Sequence, residues 1–150
     1  AWNYFMSVES PENDAFIEAW HKFIKDKKRV TNDPMEAHYI GFKMWVKAVE
    51  KAGTTAPDAV IDAIVGVTVP NLSGAYSAMM PNHHITKPVL IGEIQDDGQF
   101  LVVSETDETV PGDAWSDYLE GSRDLVADWR EPIACGNYNK ESETCIGSSP

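Results

Sequence analysis

Residues 31–53, TNDPMEAHYIGFKMWVKAVEKAG, constrain this 150-residue chain more than any other stretch. They predict one long helix with both ends marked. Asp33 is a good N-cap, and Pro34 suits the first helical position, where no amide hydrogen is needed. Glu36, three residues after Asp33, permits a reciprocal capping bond. Gly53 closes the helix at C′, where a left-handed residue is wanted. Lys43, Lys47, Glu50 and Lys51 make a narrow polar stripe, and most of the remaining circumference is apolar. A helix apolar on most sides is expected to be packed on several of them. This is the expected central helix, and its N-terminus is the first place to look for a binding site.

Charge narrows the function. A formal net charge of −12 and a pI near 4.6 argue against a nucleic-acid partner, which demands clustered Lys and Arg. Most of the acid lies between Asp96 and Glu143, where solubility is the plain explanation; no D-x-D-x-D-G calcium loop occurs. No run approaches the ~18 apolar residues of a membrane span. A start at Ala1, with no leader-like segment, reads as a processed or truncated form. Cys135 and Cys145 close a short loop in a polar tail. A disulfide in an oxidising compartment is the preferred reading, with free thiols as the alternative.

Along the chain, residues 1–8 read as a strand. Ser10 caps a helix with Pro11 at its first position, and Phe16, Ile17, Trp20, Phe23 and Ile24 supply an apolar face. A basic run at 25–29 sits at that helix's negative end. Residues 58–65 read as a short helix stopped at Gly66, and 67–70 as a short strand. Residues 71–74 read as a turn containing the formal glycosylation sequon Asn71-Leu72-Ser73. Residues 88–103 are a hairpin around Asp96-Asp97-Gly98, with Ile91, Ile94, Phe100 and Val102 as its apolar face. Two short helical pieces follow, near 114–119 and 124–129. Helices this apolar need more sheet than the chain supplies, which indicates part of a larger α/β protein.

No constellation specifies catalysis. His83-His84 are adjacent on an extended segment, so their side chains diverge and poorly suit one metal. His21 and His38 lie on helices. No G-x-S-x-G elbow, G-x-G-x-x-G loop or phosphate loop occurs, and Cys135 has no nearby His. The expectation is no catalytic residue, no metal and no cofactor. Binding is better supported: the first turn of the long helix offers free amides, and Glu36 there either accepts from a ligand amine or amide or merely caps its own helix. Tyr39, one turn on, is expected in the core.

NDPMEAHYIGFKMWVKAVEKAGT, VPNLSG, PNHHITKPVLIGEIQDDGQFLVV and AWSDYLEGSRDLVADWREP together resemble the urea-binding proteins of bacterial urea ABC transporters, within the amide and branched-chain amino-acid binding family. The resemblance runs from AWNYF to the CGNYN…C tail. It implies the C-terminal portion of a two-lobed type I periplasmic binding protein of α/β class, with three hinge crossings and the ligand enclosed between lobes. On that reading residues 1–8 lead into the hinge and 9–87 are mainly first-lobe helices. Residues 88–134 then form a second-lobe hairpin with docking helices, and 135–150 the disulfide tail. Glu36 is the implied ligand contact, while Pro88 and the His83-His84 loop are hinge or interlobe supports. The implied ligand is urea or a short-chain amide, and the implied partners are ABC permease subunits and the remainder of the binding protein, in the periplasm. An amide-responsive sensor on the same scaffold, or a fragment that binds nothing by itself, are the alternatives; an amidohydrolase lacks a nucleophile–base or metal set.

Overall fold

The computed structural model describes residues 1–113, 118, 138–139 and 144–145. Residues 1–112 form one compact unit and 113–150 a second. In the first unit, helix α1 (Pro11–Ile24) starts as expected, with the Ser10 hydroxyl accepting from the Asn13 amide at 3.0 Å. It ends at Lys25 in a left-handed conformation, φ 56°. Phe16 stacks on Tyr39 with ring centroids 4.7 Å apart, whereas Phe23, expected on the buried face, is 80% exposed.

Helix α2 (Asp33–Ala52) corrects the expected cap by one residue. Asn32 is the N-cap and its Oδ1 accepts from the Met35 amide at 3.1 Å; Asp33 is already helical. Asn and Asp cap about equally well, so local sequence does not choose between them. Using Asn32 leaves the Asp33 carboxylate available for a tertiary partner. Gly53 closes the helix at φ 68°, its amide bonded to the Val49 carbonyl. Only Glu36, Ile40, Met44 and Ala48 of α2 are buried, a single stripe at four-residue spacing. Phe42 and Trp45 stack on each other but remain 64% and 41% exposed, so the expectation of burial on several sides is not met within this chain.

Helix α3 (Pro57–Ile64) packs on α2, and the chain then enters strand β1 (Thr68–Pro70). Its antiparallel partner β2 (Tyr76–Ala78) was not expected, since Tyr-Ser-Ala carries little strand signal; Val69 pairs with Ser77. Ile40, Met44, Val67 and Val69 form the core, with Tyr39, Ile64, Met79 and Ile85 packed against them. Tyr39, expected in the core, is half-buried and packs against its edge. Asn71 of the sequon is fully buried in the β1–β2 loop, which removes it as a glycosylation acceptor.

The second hairpin is where the sequence placed it. Strands β3 (Leu90–Ile94) and β4 (Phe100–Glu105) pair antiparallel around Gly98, at φ 80°, with a register shift at Ile91/Gly92. Gly92 has a packing reason to lack a side chain: a Cβ there would lie 2.8 Å from the Phe5 ring. The apolar face is smaller than expected, because Ile91 and Ile94 are 43% and 69% exposed.

Residues 1–8 are not a strand. Only Trp2 bridges, to Leu90, and the chain turns so that the Val8 amide meets the Phe5 carbonyl at 3.1 Å. The Asn13 side-chain amide takes the carbonyls of Met6 (2.9 Å) and Val8 (2.7 Å), acceptors that a ladder would have needed. Tyr4 and Phe5 then serve opposite bodies: Tyr4 joins the helices, and Phe5 stacks on Phe100 of the hairpin at 4.6 Å. In the second unit, β5 (Tyr138–Asn139) pairs antiparallel with β6 (Thr144–Cys145). Cys135 lies outside the described residues, as do most of the two expected helical pieces, and with it the expected disulfide to Cys145.

Candidate functional site

Three chain segments run side by side between the helical body and the β3–β4 hairpin. Trp2 and Leu90 exchange backbone hydrogen bonds at 2.9 and 2.7 Å. Lys87 and Val110 do the same at 3.1 and 2.7 Å, and the Thr106 amide donates to the Val89 carbonyl at 3.1 Å. The Asn3 side-chain amide ties the first segment to the second through the buried Pro88 carbonyl, at 2.6 Å. These crossings put Lys87 directly over the first turn of α2.

There the structure assembles a buried charge cluster. Glu36 has no solvent exposure, and its Oε2 accepts from the Lys87 ammonium. Its Oε1 accepts from the Leu72 amide at 3.5 Å. Asp33 Oδ1 lies 3.4 Å from the same ammonium. The expected reciprocal bond of Glu36 to its own helix end is therefore replaced by tertiary partners. Burial pushes the Glu36 carboxyl above the ordinary carboxylate range; the Lys87 hydrogen bond and charge and the Leu72 amide pull it back, while Asp33 adds to the rise.

Tyr4 lies behind this cluster, 1% exposed. Its hydroxyl donates to Asn13 Oδ1 at 2.7 Å and accepts from the Thr31 hydroxyl at 2.6 Å. Burial raises the phenol to about 12, with Thr31 opposing and the Glu36 charge adding. A raised folded-state value means the unfolded chain loses its proton first. Stability is then intact below pH 10 and falls as pH rises from 10 to about 12. The expected loss is on the order of 2 kcal/mol. Tyr4→Phe should flatten this alkaline limb in urea unfolding midpoints measured across that range; an unchanged slope would remove Tyr4 as its source.

The other sequence candidates sit apart. His83, at φ 60°, and His84 are exposed in a turn, and His38 Nδ1 donates to its own helix at Pro34. No group of three or more metal-ligating side chains occurs among the described residues, and no helix there is long and apolar enough to cross a membrane. Sequence reasoning missed Lys87, Asp33 as its partner, and Tyr4. The available signal was Lys87 itself, a lone cation inside the β-rich run ITKPVLI.

The arrangement matches known proteins over most of its length. The description "Periplasmic binding protein domain" fits residues 1–121. A solute-binding protein of an ABC transporter from Rhodopseudomonas palustris HaA2, solved with p-hydroxybenzoic acid, superposes with TM-score 0.60 at 27% identity, over 72% of this chain and 30% of that one. One from strain BisB5, solved with 3,4-dihydroxybenzoic acid, gives TM-score 0.60 at 20% identity, over 71% and 30%, and supports the fold alone. A protein named limonene hydroxylase from Geobacillus stearothermophilus is 28% identical over 109 residues, 73% of this chain and 20% of that protein. The chain thus spans 20–30% of the length of these relatives. Its α/β architecture is that of a portion of a type I periplasmic binding protein, and by the match over residues 1–121 the chain belongs to the periplasmic binding protein domain family.

Proposed function

We propose that the chain is part of the solute-binding component of an ABC uptake system, outside the cytoplasm, and that its ligand is urea or a short-chain amide. The observation that supports the capture role is the set of three side-by-side segments tied by backbone hydrogen bonds; in this reading they are the hinge about which the helical body and the hairpin close. In this reading residues 9–87 belong to one lobe and the hairpin from 88 onward to the other, and closure is what a permease reads. The ligand class rests on the urea-binding-protein motifs, NDPMEAHYIGFKMWVKAVEKAGT and PNHHITKPVLIGEIQDDGQFLVV above all. The chain acts as a binder, with no catalytic step of its own.

Glu36 enters this site through what it holds. Its carboxylate fixes Lys87 of the second crossing and the Leu72 amide of the β1–β2 loop. Urea has four N–H donors and one carbonyl, and each group left unpaired on closure costs about 1–3 kcal/mol, enough to reject look-alikes.

A second reading has its own support: the Rhodopseudomonas palustris HaA2 relative was solved with p-hydroxybenzoic acid. Calorimetric titration of the chain with urea, acetamide and 4-hydroxybenzoate separates the two. Saturable heat from urea or acetamide, with none from the benzoate, is the expected result, and the reverse pattern overturns the amide reading. Glu36→Ala should weaken amide binding about tenfold, the equivalent of one charged hydrogen bond; unchanged affinity removes Glu36 from the site. Ammonia released from urea by the purified chain would overturn the binder reading.

A further inference from the structure

The end of α1 and the turn after it carry a dense basic segment, KFIKDKKRV at residues 22–30. It holds Lys22, Lys25, Lys27, Lys28 and Arg29 against one acid, Asp26, in a chain whose formal net charge is −12. All five cations are exposed. The helix end accounts for only part of the cluster. Its dipole favours cations within the last turn, which covers Lys22 and the cap Lys25. Lys27, Lys28 and Arg29 lie beyond that turn.

The other described lysines show what this fold does with a cation it uses. Lys43 Nζ lies 4.3 Å from the centroid of the Tyr39 ring. Lys47 and Lys51 donate to the carbonyls of Thr68 and Ala63 at 2.9 Å each, and Lys87 holds Glu36. Among the described residues, none of the five cations between 22 and 29 has a side-chain hydrogen bond, ion pair or ring contact. Asp14 and Glu18 border one groove with Lys22 and Lys27, but no ion pair forms there. Asp26 is turned onto the backbone, accepting from the Lys28 amide at 2.9 Å. His21 Nε2 donates to the Arg29 carbonyl at 2.8 Å, so the basic turn is tied back to α1.

Two apolar side chains stand in the same segment, Phe23 at 80% exposure and Val30 at 54%. Phe23 stacks on the half-buried Trp20, with centroids 6.3 Å apart. Free cations interleaved with exposed apolar side chains suit a surface that is anionic outside and apolar just beneath. We infer that residues 20–30 make a peripheral contact with an anionic phospholipid surface. The cations meet the headgroup phosphates, and Phe23 enters the boundary between headgroups and acyl chains. An acidic polypeptide would satisfy the charges but offer Phe23 and Val30 no apolar layer. Four of the five cations are Lys, a compact charge that needs no bidentate partner and so suits mobile headgroups. The acids elsewhere on the chain do not cancel the attraction, because charges beyond about 8 Å are largely screened at physiological ionic strength. The contact is independent of the ligand and of Glu36.

Co-sedimentation of the chain with lipid vesicles tests the contact. Vesicles of phosphatidylcholine with about one-third phosphatidylglycerol should bind the chain, and pure phosphatidylcholine should not. Raising the salt from about 0.1 M to about 1 M should abolish binding. Lys27→Gln, Lys28→Gln and Arg29→Gln combined should weaken it about a hundredfold, or about fivefold per charge. Phe23→Ser should weaken it about tenfold, and Lys43→Gln, which alters an engaged cation, should leave it within about twofold. These side chains lie at the surface, and thermal unfolding checks that each variant folds. Equal binding to the two vesicle types, or binding to neither, overturns the contact. So does a triple variant that binds as the parent does, or an unchanged affinity in Phe23→Ser. Retention on immobilised polyglutamate without vesicle binding assigns the segment to an acidic polypeptide and overturns the lipid contact too.

Discussion

Replacing Lys87 by methionine is expected to lower the unfolding free energy by about 3–5 kcal/mol. The ammonium is the counter-charge of a Glu36 carboxylate with no solvent exposure, and Asp33 Oδ1 lies 3.4 Å away. Methionine keeps much of the volume and removes the charge, so the loss reports the electrostatics and not a cavity. Guanidinium unfolding measures it. The double variant Lys87→Met with Glu36→Gln should be more stable than Lys87→Met alone, since it removes the stranded charge. The single variant also gains a pH signature. With Lys87 gone, burial and Asp33 remain to raise the Glu36 carboxyl, and the Leu72 amide is left to oppose them. A carboxyl raised in the fold holds its proton where the unfolded chain has lost it. Stability should then fall as pH rises from the ordinary value of 4.5 through the raised one. A Lys87→Met loss below about 1 kcal/mol would show that the cluster behaves as an exposed pair does.

Met44→Ala is the other large effect, about 2–5 kcal/mol, because its side chain is fully buried against Ile40, Val67 and Val69 and leaves a cavity. Phe42→Ala, two residues away on the same helix, should cost under about 1 kcal/mol. Phe42 is the larger side chain but remains 64% exposed. Thermal unfolding of the two variants decides. Equal losses would mean that the apolar circumference of α2 is covered on more than one side.

That contrast marks what the sequence could and could not convey. Ser10, Pro11 and Gly53 bound the helices because capping is a contact between near neighbours. The hairpin around Gly98 was legible for the same reason: its turn and its alternating strands lie within one short window. The cap at Asn32 was missed by one residue, since Asn and Asp compete equally until Lys87 engages Asp33 across 54 residues of chain. The strand expected at 1–8 failed because Asn13 takes two of its carbonyls, which no local pattern announces.

The site divides the same way. Sequence alone picked out Glu36, in the first turn of the longest helix, and the family motifs around it. Which groups Glu36 meets was decided only by tertiary structure. Lys87 and Leu72 stand 51 and 36 residues away and arrive through the crossings and the β1–β2 loop. Periodicity and capping record interactions within a turn or two, so they fix where elements begin and end. The partners of a buried charge are set by which distant segments the fold brings together, and that is a property of the whole chain.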